Sequence, residues 1–303
     1  MMINPKLPLV YHPNYSFSFD DKHRFVMSKF ARLYQHLDAN GYINTDNLHQ
    51  PPLGDFKPME LVHCESYVYD LFHNQLDSKA MRRIGLPWSE QLMARTFTAP
   101  LGTHLAAELA LEHGIACHLA GGTHHAHYDF GSGYCMVNDL AYTATRLINE
   151  GKARNVLIFD CDVHQGDGTA AMLAHNPYVF TCSIHCEKNF PFRKQHSDLD
   201  IGLEIGLTDP DYLNIVSTTL NDLIEQLNPS LVLYDAGVDI WQQDTLGKLD
   251  ISWQGIAARD YAVLEICQRK GVPVATVIGG GYDKDHQRLA ERHALVVEQA
   301  ARF

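Results

Sequence analysis

The order of apolar and polar positions along the chain predicts strands that alternate with helices. Short apolar runs bounded by turn residues are typical of buried strands, and longer segments with apolar residues three or four positions apart are typical of helices. The expected strands span residues 115–120, 154–160, 178–184, 230–235 and 273–278. The expected helices span residues 22–38, 101–113, 138–150, 168–175, 211–227, 255–268 and 285–300. This alternation indicates an α/β protein whose mostly parallel sheet is covered by helices on both faces.

The remaining segments change this picture little. Residues 40–60 are rich in Pro, Gly, Asn and Asp and predict a loop, and the segment Arg82–Ser89 is expected to be irregular. No long linker, repeat or low-complexity tract divides the chain, and 46% of its residues are hydrophobic. We therefore expect a single domain over residues 1–303.

The composition narrows the class of protein. A formal net charge of −12, with His counted as neutral, argues against general DNA or RNA binding, which needs a basic face. An acidic surface is expected to suit cationic substrates such as lysine-bearing peptides or polyamines. Seven scattered cysteines fit a reducing compartment, and the chain has neither an apolar run of about 18 residues nor a signal-like stretch over Met1–Pro8. The sequence thus favours a cytoplasmic protein that does not enter a membrane.

The most informative segment lies where one predicted strand ends. The apolar run Val156–Phe159 leads into Asp160, Asp162 and His164, whose side chains point to the same side of an extended backbone, and Asp167 follows past the turn. Sites in open α/β sheets form at the carboxyl ends of strands, and a carboxylate beside an imidazole is half of a divalent-metal site. Because such groups are costly to bury without a function, we interpret this strand end as a metal site.

Two more strand ends carry matching chemistry. His124 and His125 follow a Gly-Gly turn that lets both imidazoles reach one cavity, where imidazole is the usual general acid or base near neutral pH. Asp239 follows another apolar run and could complete a three-ligand set with Asp162 and His164. A three-ligand set leaves positions open for water and substrate, as in catalytic metal sites.

The last predicted strand ends in three glycines. Gly279–Gly281 let the backbone pass close to a ligand, and Tyr282 behind them can offer a phenol. The run lacks the Lys and Ser/Thr of a phosphate-binding P-loop and the spacing of a dinucleotide fingerprint, so a tight turn beside a site is favoured. Asp283 and Asp285 are expected to start the last helix, because the helix dipole favours acids near its N-terminus.

These segments, in this order, resemble the histone deacetylase superfamily, which includes bacterial histone-deacetylase-like amidohydrolases and acetylpolyamine amidohydrolases. The matching motifs run from Tyr11-His12-Pro13 to Tyr282, nearly the whole chain. The stretches His164–Gly168 and Leu86–Ser89 look more like the class IV and bacterial branch. The resemblance implies the arginase/deacetylase fold, a three-layer α/β/α sandwich. It also implies metal-dependent hydrolysis of an acylated amine, with acetyl as the expected acyl group.

The resemblance further implies roles for individual residues. One Zn²⁺, or Fe²⁺ in some relatives, would be held by Asp162, His164 and Asp239. The other implied catalytic residues are the acid/base pair His124 and His125, their respective orienting acids Asp160 and Asp167, and Tyr282, which polarises the substrate carbonyl. A carboxylate that accepts a hydrogen bond from the far ring nitrogen fixes the tautomer of an imidazole and raises its basicity.

Two further sets of residues come from the same resemblance. Gly133 and Tyr134 match residues that line the family's acyl-lysine tunnel, and Glu65 stands where relatives often carry a rim Asp that anchors the substrate. The implied ligands of a structural K⁺ or Na⁺ are Ser183, Ile184 and the backbone carbonyls of Asp160, Asp162 and His164.

The chain departs from many relatives at two positions. Gln165 replaces a His beside the metal-binding His; because Gln does not titrate, it is not a base, although it can form hydrogen bonds. Thr123 replaces an aromatic residue that some relatives place before the paired histidines. We expect Thr123 to widen the pocket floor and to alter the preferred acyl length.

Several residues have a plainer interpretation. His118 and His127 are expected in exposed loops. Cys161 points to the face opposite the site acids and is expected in the core. Asp235 is either an acid behind the site or a solvated strand end.

Three kinds of function stay in view. The substrate of a deacylase could be an acylated lysine in a peptide or protein, an acetylated polyamine or another small amine, because the motifs build the chemistry and not the rim. A binuclear manganese ureohydrolase of the arginase type needs Asp ligands beyond those seen after His164 and at Asp239. A non-catalytic acyl-lysine binder is expected to lose the paired histidines or the tyrosine, and this chain keeps them.

Overall fold

A computed structural model describes residues 4–303 of the chain. Residues 1–3 lie outside the described residues. They are the first part of the stretch Met1–Pro8, in which no signal-like segment is expected. No helix within residues 4–303 is long and apolar enough to cross a membrane.

One sheet runs through the middle of the described residues. Its eight strands are β1 (Leu9–Val10), β2 (Leu48–His49), β3 (Ile115–His118), β4 (Val156–Asp160), β5 (Val179–Cys186), β6 (Leu199–Leu203), β7 (Leu231–Asp235) and β8 (Val274–Val277). Their spatial order is β2-β1-β3-β8-β7-β4-β5-β6, and every neighbouring pair is parallel. The expected mostly parallel α/β sheet is confirmed.

Helices cover both faces of this sheet. They are α1 (Lys29–Ala39), α2 (Glu65–Phe72), α3 (Ser78–Ile84), α4 (Glu90–His113), α5 (Asp139–Asn149), α6 (Asp167–Leu173), α7 (Asp209–Leu227), α8 (Trp253–Lys270) and α9 (His286–Ala300). Helices α1, α9, α8 and α7 pack in succession over one face, and α4 packs with α5 over the other. The three-layer α/β/α sandwich is therefore confirmed.

The central strands are buried on both faces, which explains why they stand out as apolar runs. Along β4, Leu157 and Phe159 contribute to one hydrophobic core, and Val156 and Ile158 contribute to the other. Side chains alternate between the two faces of a strand, so a strand between two cores has few polar positions until it ends.

The structure differs from the expected elements mainly where strands are short or a helix contains proline. Strands β1 and β2 have two residues each and β6 lies at the edge of the sheet, so none has a periodic apolar signal. Helix α4 begins at Glu90 and contains Pro100, whereas a helix was expected only from residue 101, because proline usually ends a helical pattern. The segment Arg82–Ser89 is only partly irregular, since its first residues end α3.

The first helix begins later than expected, whereas the last helix begins where it was expected. Helix α1 begins at Lys29 rather than at residue 22, because the preceding residues form turns. Helix α9 begins at His286, and the side chain of Asp285 accepts hydrogen bonds from the backbone N–H groups of Gln287 and Arg288. The expectation that acids start the last helix is thus confirmed.

The order of the strands explains how distant motifs meet. The four segments singled out in the sequence follow β3, β8, β7 and β4, and these are consecutive neighbours in the sheet. Because the strands are parallel, their carboxyl ends lie along one edge, where α/β proteins form their sites.

Candidate active site

Three donor atoms converge where β4 and β7 end. The side chains of Asp162, His164 and Asp239 are buried, and one donor atom from each lies within 4.8 Å of the others. The Nδ1 atom of His164 lies 3.1 Å from Asp162 Oδ1 and 3.2 Å from Asp239 Oδ2. Two carboxylate oxygens and one imidazole nitrogen form the donor set of a catalytic divalent-metal site.

The backbone fixes the far oxygen of each carboxylate and leaves the near one facing the cluster. The N–H of Gly280 donates to Asp162 Oδ2 at 2.7 Å, and the N–H of Val163 donates to Asp239 Oδ1 at 2.9 Å. Asp239 Oδ2 is buried and forms no hydrogen bond with the described residues. A Cβ at Gly280 would overlap Asp239 Oδ2, so this approach needs glycine. An orphaned oxygen aimed at two other donors fits a bound cation.

The electrostatics of the cluster point the same way. Burial alone would lower the pKa of His164, but a hydrogen bond to Asp162 and the close negative charges of Asp162 and Asp239 raise it to about 10. Burial raises the pKa of Asp239, and the neighbouring charge of Asp162 raises it further. Two buried carboxylates beside one imidazole therefore need positive charge between them.

Each of the paired histidines is held by its own acid. His124 Nδ1 lies 2.7 Å from Asp160 Oδ2, and His125 Nδ1 lies 2.6 Å from Asp167 Oδ1. These are the pairings that the resemblance implies. Because both Nδ1 atoms face carboxylates, both Nε2 atoms face the cavity, where they lie 3.2 Å apart and can share a proton.

The two imidazoles differ in protonation. Burial alone would lower the pKa of His124, but the charges of Asp160 and Asp162 raise it well above its ordinary value. Burial, reinforced by the positive charge of His124, lowers the pKa of His125 to about 4 despite its bond to Asp167. These shifts favour the charged imidazolium form of His124 and the neutral form of His125, whose Nε2 can accept a proton.

The expectation that His118 and His127 lie in exposed loops is wrong. His127 is buried and its Nε2 lies 3.0 Å from Asp167 Oδ2, so Asp167 contacts two imidazoles. His118 is buried at the end of β3, and its Nε2 accepts a hydrogen bond from the hydroxyl of Tyr15 at 2.8 Å. The sequence around each of these histidines does not predict its hydrogen-bond partner, because the partner lies far away along the chain.

The Gly-Gly turn before the paired histidines is organised by a residue that sequence reasoning missed. Asp139 accepts hydrogen bonds from the N–H groups of Gly122 and Thr123 and from the hydroxyls of Thr123 and Thr103. Asp139 is the first residue of α5, and an acid at a helix start has no special pattern of its own. Its four hydrogen bonds fix the direction in which His124 and His125 leave the turn.

Two other residues left open by the sequence are also buried. Asp235 is not a solvated strand end: it is fully buried, and its Oδ2 lies 3.9 Å from His124 Nδ1. Burial and the neighbouring charge of Asp160 raise its pKa well above the ordinary value, which favours the neutral form. Cys161 lies in the core, as expected.

Two connected spaces lead to the cluster. An outer cavity of about 410 Å³ is lined by His125, His164 and Tyr282, among others. An inner cavity of about 40 Å³ shares these three residues and extends to Lys29 and Arg95. The inner space has room for about one water molecule. Both spaces are lined by His125 and His164, and the inner one is also lined by Asp162 and His124.

The cations of the inner cavity were not predicted from the sequence. Lys29 is buried, and its ammonium donates to the backbone oxygen of Gly279 at 3.2 Å. Burial, together with the positive charge of Arg95, lowers the pKa of Lys29 to about 8. Arg95 is also buried, with its guanidinium 4.5 Å from the ring centre of Phe30. A basic residue within a helical pattern is usually exposed, so neither residue had a distinguishing signal.

The wall of the outer cavity contains a close approach at Gly133, and the tunnel implied by the resemblance stays a prediction. Gly133 has φ +54°, and a Cβ there would lie 2.6 Å from Cδ2 of His125 and 3.2 Å from the ring of Phe190. The Phe190 ring centre lies 4.9 Å from that of His125. Tyr134 and Tyr282 complete the wall with ring centres 6.0 Å apart. Phe190 was not predicted, because its loop carries no motif of its own.

The remaining predicted residues have these positions. Glu65 is exposed, lies 3.7 Å from Lys57 Nζ, and lines neither cavity, so its rim role stays a prediction. Ser183 and Ile184 lie on β5, with Ser183 paired in register with Asp160 of β4, and the monovalent-cation site also stays a prediction. Gln165 donates to Asp200 Oδ1 at 2.8 Å, a hydrogen-bonding role of the kind expected.

The fold and the buried site define an α/β-sandwich protein with a candidate catalytic metal centre at its strand ends. The sequence matches the histone deacetylase domain over residues 23–299. The chain therefore belongs to the histone deacetylase family, and it is a hydrolase of that family.

Individual relatives agree with this assignment. An uncharacterized protein of Picosynechococcus sp. is 50% identical over 97% of this chain and 98% of its own length. Histone deacetylase 2 of Arabidopsis thaliana is 28% identical, with coverage of 94% and 76%. Acetoin utilization protein AcuC of Staphylococcus aureus is 26% identical, with coverage of 88% and 74%. The crystal structure of an HDAC homologue complexed with SAHA matches the fold with a TM-score of 0.79 at 23% identity, covering 97% of this chain and 84% of that one.

Proposed function

We propose that the chain is one catalytic domain that removes an acyl group from an acylated amine. The expected acyl group is acetyl, and the expected location is the cytoplasm. The observation that carries this proposal is the convergence, on one cavity, of three metal donors and two histidine–acid pairs. An acylated lysine or a smaller acylated amine would enter through the outer cavity. The names of the relatives, histone deacetylase 2 and the HDAC homologue bound to SAHA, support the same substrate class.

Asp162, His164 and Asp239 would hold one Zn²⁺ or Fe²⁺. When bound, such an ion supplies Lewis-acid polarisation of the amide carbonyl and a more acidic water. The chain itself supplies the geometry: the N–H groups of Gly280 and Val163 fix the far carboxylate oxygens. An ion held by three protein donors has positions left for water and substrate.

His125 would be the general base. Its pKa of about 4 keeps it neutral, and its Nδ1–H is donated to Asp167, so Nε2 can take a proton from the attacking water. The same nitrogen would return that proton to the leaving amine. His124, held by Asp160, would contribute its positive charge and could share the proton between the two Nε2 atoms.

Tyr282 would stabilise the charge that develops on the carbonyl oxygen. Burial raises the pKa of its phenol well above the ordinary value, and the charges of Asp239 and Asp162 raise it further, so it stays a donor. The N–H of Tyr282 donates to Asp244 Oδ2 at 2.7 Å, which fixes the backbone behind the ring. Hydrolysis yields a free amine and a carboxylate, and the inner cavity next to the proposed metal donors is lined by the cations Lys29 and Arg95.

A structural K⁺ or Na⁺ is part of the same proposal. Asp160, Asp162 and His164 would contribute backbone carbonyls, and Ser183 and Ile184 would contribute the opposite side. The pairing of Asp160 with Ser183 between β4 and β5 supports this grouping. Such an ion would stiffen the strand end that carries two of the metal donors.

The test is hydrolysis of an acetyl-lysine peptide by protein stripped with a chelator and then reloaded with Zn²⁺ or Fe²⁺. We expect turnover to return with one metal ion per chain and to be blocked by SAHA. Acetylated polyamines and longer acyl groups, assayed in parallel, define the substrate. Full turnover by the stripped protein would refute the proposal.

One observation favours a second candidate, a binuclear ureohydrolase. His124, Asp160 and Asp235 also place donor atoms within 4.8 Å of one another. We favour a single catalytic metal, because His124 Nδ1 and Asp160 Oδ2, two of these donor atoms, already lie 2.7 Å apart and form a hydrogen bond with each other. Two Mn²⁺ per chain with hydrolysis of a guanidino compound would instead support the ureohydrolase.

A further inference from the structure

The charge at the mouth of the outer cavity is opposite to that of the whole chain. The chain carries a formal net charge of −12, yet neither Asp nor Glu lines the outer cavity. Two arginines, Arg82 and Arg83, line it instead. A local charge that runs against the net charge is informative, because clefts lined by one sign of charge attract ligands of the other sign.

Both arginines are free to meet a ligand. They lie in the last turn of helix α3, are exposed, and have no carboxylate within 4.0 Å among the described residues. The guanidinium of Arg83 also lies 4.6 Å from the ring centre of Phe130. Cations at a helix C-terminus also favour the helix dipole, but that effect does not require both side chains to line a cavity.

A third cation lies close behind the cavity wall. Asn189 and Phe190 line the outer cavity and belong to a loop that carries Lys194. The same loop carries Glu187 and Lys188, and Lys188 lies 3.9 Å from Glu204. The ammonium of Lys194 donates to the backbone oxygen of Asn189 at 2.8 Å, so this charge is tied to the wall itself.

The acid expected at the rim does not offset these cations. Glu65, the one rim acid implied by the family resemblance, lines neither cavity and lies 3.7 Å from Lys57. A cationic group on a substrate at this mouth would therefore face two arginines, and no carboxylate belongs to the lining of the outer cavity.

We propose that the mouth of the outer cavity is an anion-binding subsite, and that the preferred substrate is an acylated amine with a carboxylate on the amine side. The proposal rests on the deacylase function given above and names its substrate class. Arg82 and Arg83 bind the carboxylate while the acyl group reaches the metal centre. Polyamines, which present an ammonium at this position, are disfavoured, contrary to what the net charge alone suggests.

The test uses three substrates of equal length: acetylated aminohexanoate, its carboxamide and mono-acetylated diaminohexane. We expect kcat/KM to be highest for the carboxylate and lowest for the amine, with about a ten-fold span at low salt that shrinks as salt is added. Exposed ion pairs contribute modestly, so Arg82→Gln and Arg83→Gln should each reduce the preference about two- to five-fold.

The matched control is Arg154→Gln, which makes the same charge change at an exposed arginine before β4, at the opposite edge of the sheet. It should leave the preference unchanged. Equal turnover of all three substrates, or a preference that survives the double variant of Arg82 and Arg83, would overturn the anion subsite while leaving the deacylase function intact.

Binding of the same three compounds, measured by calorimetry, separates the two proposals. If none of them is hydrolysed but the carboxylate still binds best and through the arginines, the deacylase function fails and the anion subsite stands. If binding shows no preference for the carboxylate, the subsite is wrong whatever the activity.

Discussion

The floor of the active-site cavity, which contains the proposed metal donors and the paired histidines, differs from its mouth in burial and in the number of contacts that hold each side chain. Floor residues such as Asp162, Asp239 and His125 follow strands, are buried, and are each held by at least one further partner. Mouth residues such as Arg82 and Arg83 belong to a short helix, are exposed and have no acidic partner among the described residues. The floor is rigid and densely connected, whereas the mouth is sparsely connected.

This difference separates the reaction from its specificity. Catalysis needs donors held to within a fraction of an ångström, which burial and second partners provide. Recognition of a charged group at a solvent-exposed cavity mouth needs only a charge of opposite sign near the position of that group. Changes at the floor should therefore reduce turnover by orders of magnitude, and changes at the mouth should shift preference by small factors.

The largest effect is expected from Asp239→Ala. Removing one of three donors should abolish metal binding and lower kcat/KM by about 10³-fold or more, because metal catalysis supplies several kcal/mol. Metal content by mass spectrometry and turnover of the acetylated substrate provide the measurement. Asp250→Ala, at an exposed acid farther along the same loop, is the control. A variant that keeps its metal and its rate would contradict the three-donor centre.

His125→Ala should come next. Loss of the general base should lower kcat by about 10²- to 10⁴-fold with the metal retained. His127→Ala is the matched control, since His127 shares Asp167 but lines neither cavity, and it should cost at most about ten-fold. Similar losses in both variants would mean that His125 acts only by holding Asp167.

The floor could be predicted from the sequence because each of its residues follows a strand. Asp162, His164 and Asp239 come at the ends of apolar runs, and parallel neighbours bring such ends to one edge without any knowledge of side-chain packing. Residue type and spacing were therefore enough to predict that the proposed metal donors and the paired histidines lie close together.

The residues that sequence reasoning missed act through contacts between distant segments. Asp139 supports the histidine turn from the start of α5, and Lys29 and Arg95 reach the inner cavity from two different helices. Phe190 comes from a loop without a motif. Nothing local distinguishes such residues from ordinary helix or loop positions. The two-residue strands β1 and β2 were missed for a similar reason, since two residues cannot show a period.

Gly133→Ala tests the wall between the floor and the mouth. The new methyl would lie 2.6 Å from His125 Cδ2, so either His125 or the wall must shift, and kcat/KM should fall about 10- to 100-fold. Gly151→Ala is the control: its φ of +69° imposes similar backbone strain, about 1–2 kcal/mol, but a Cβ there contacts nothing within 4 Å. Both variants should lose stability in urea, and only Gly133→Ala should lose activity.

The smallest effect concerns how the floor depends on pH. His118 is fully buried and neutral: it accepts from the hydroxyl of Tyr15, and its Nδ1 lies 3.0 Å from the hydroxyl oxygen of Thr103, which donates to Asp139. Burial lowers the pKa of His118 from 6.5 to about 3. The unfolded chain therefore binds a proton that the folded chain does not, and stability is lost as pH falls from about 6.5 towards 3.

His118→Asn should reduce this pH dependence. Between pH 6 and pH 4, the free energy of unfolding should decrease less steeply with falling pH in the variant than in the unchanged chain. The two slopes should differ by about 1.4 kcal/mol per pH unit, because the unfolded variant no longer binds the extra proton that His118 takes up on unfolding. Urea unfolding at several pH values measures both slopes. His113→Gln removes an exposed imidazole and should leave the slope unaltered. Equal slopes for His118→Asn and the unchanged chain would mean that His118 is protonated in the folded chain as readily as in the unfolded chain. The residues around His118 would then tolerate a charged imidazole in spite of their burial.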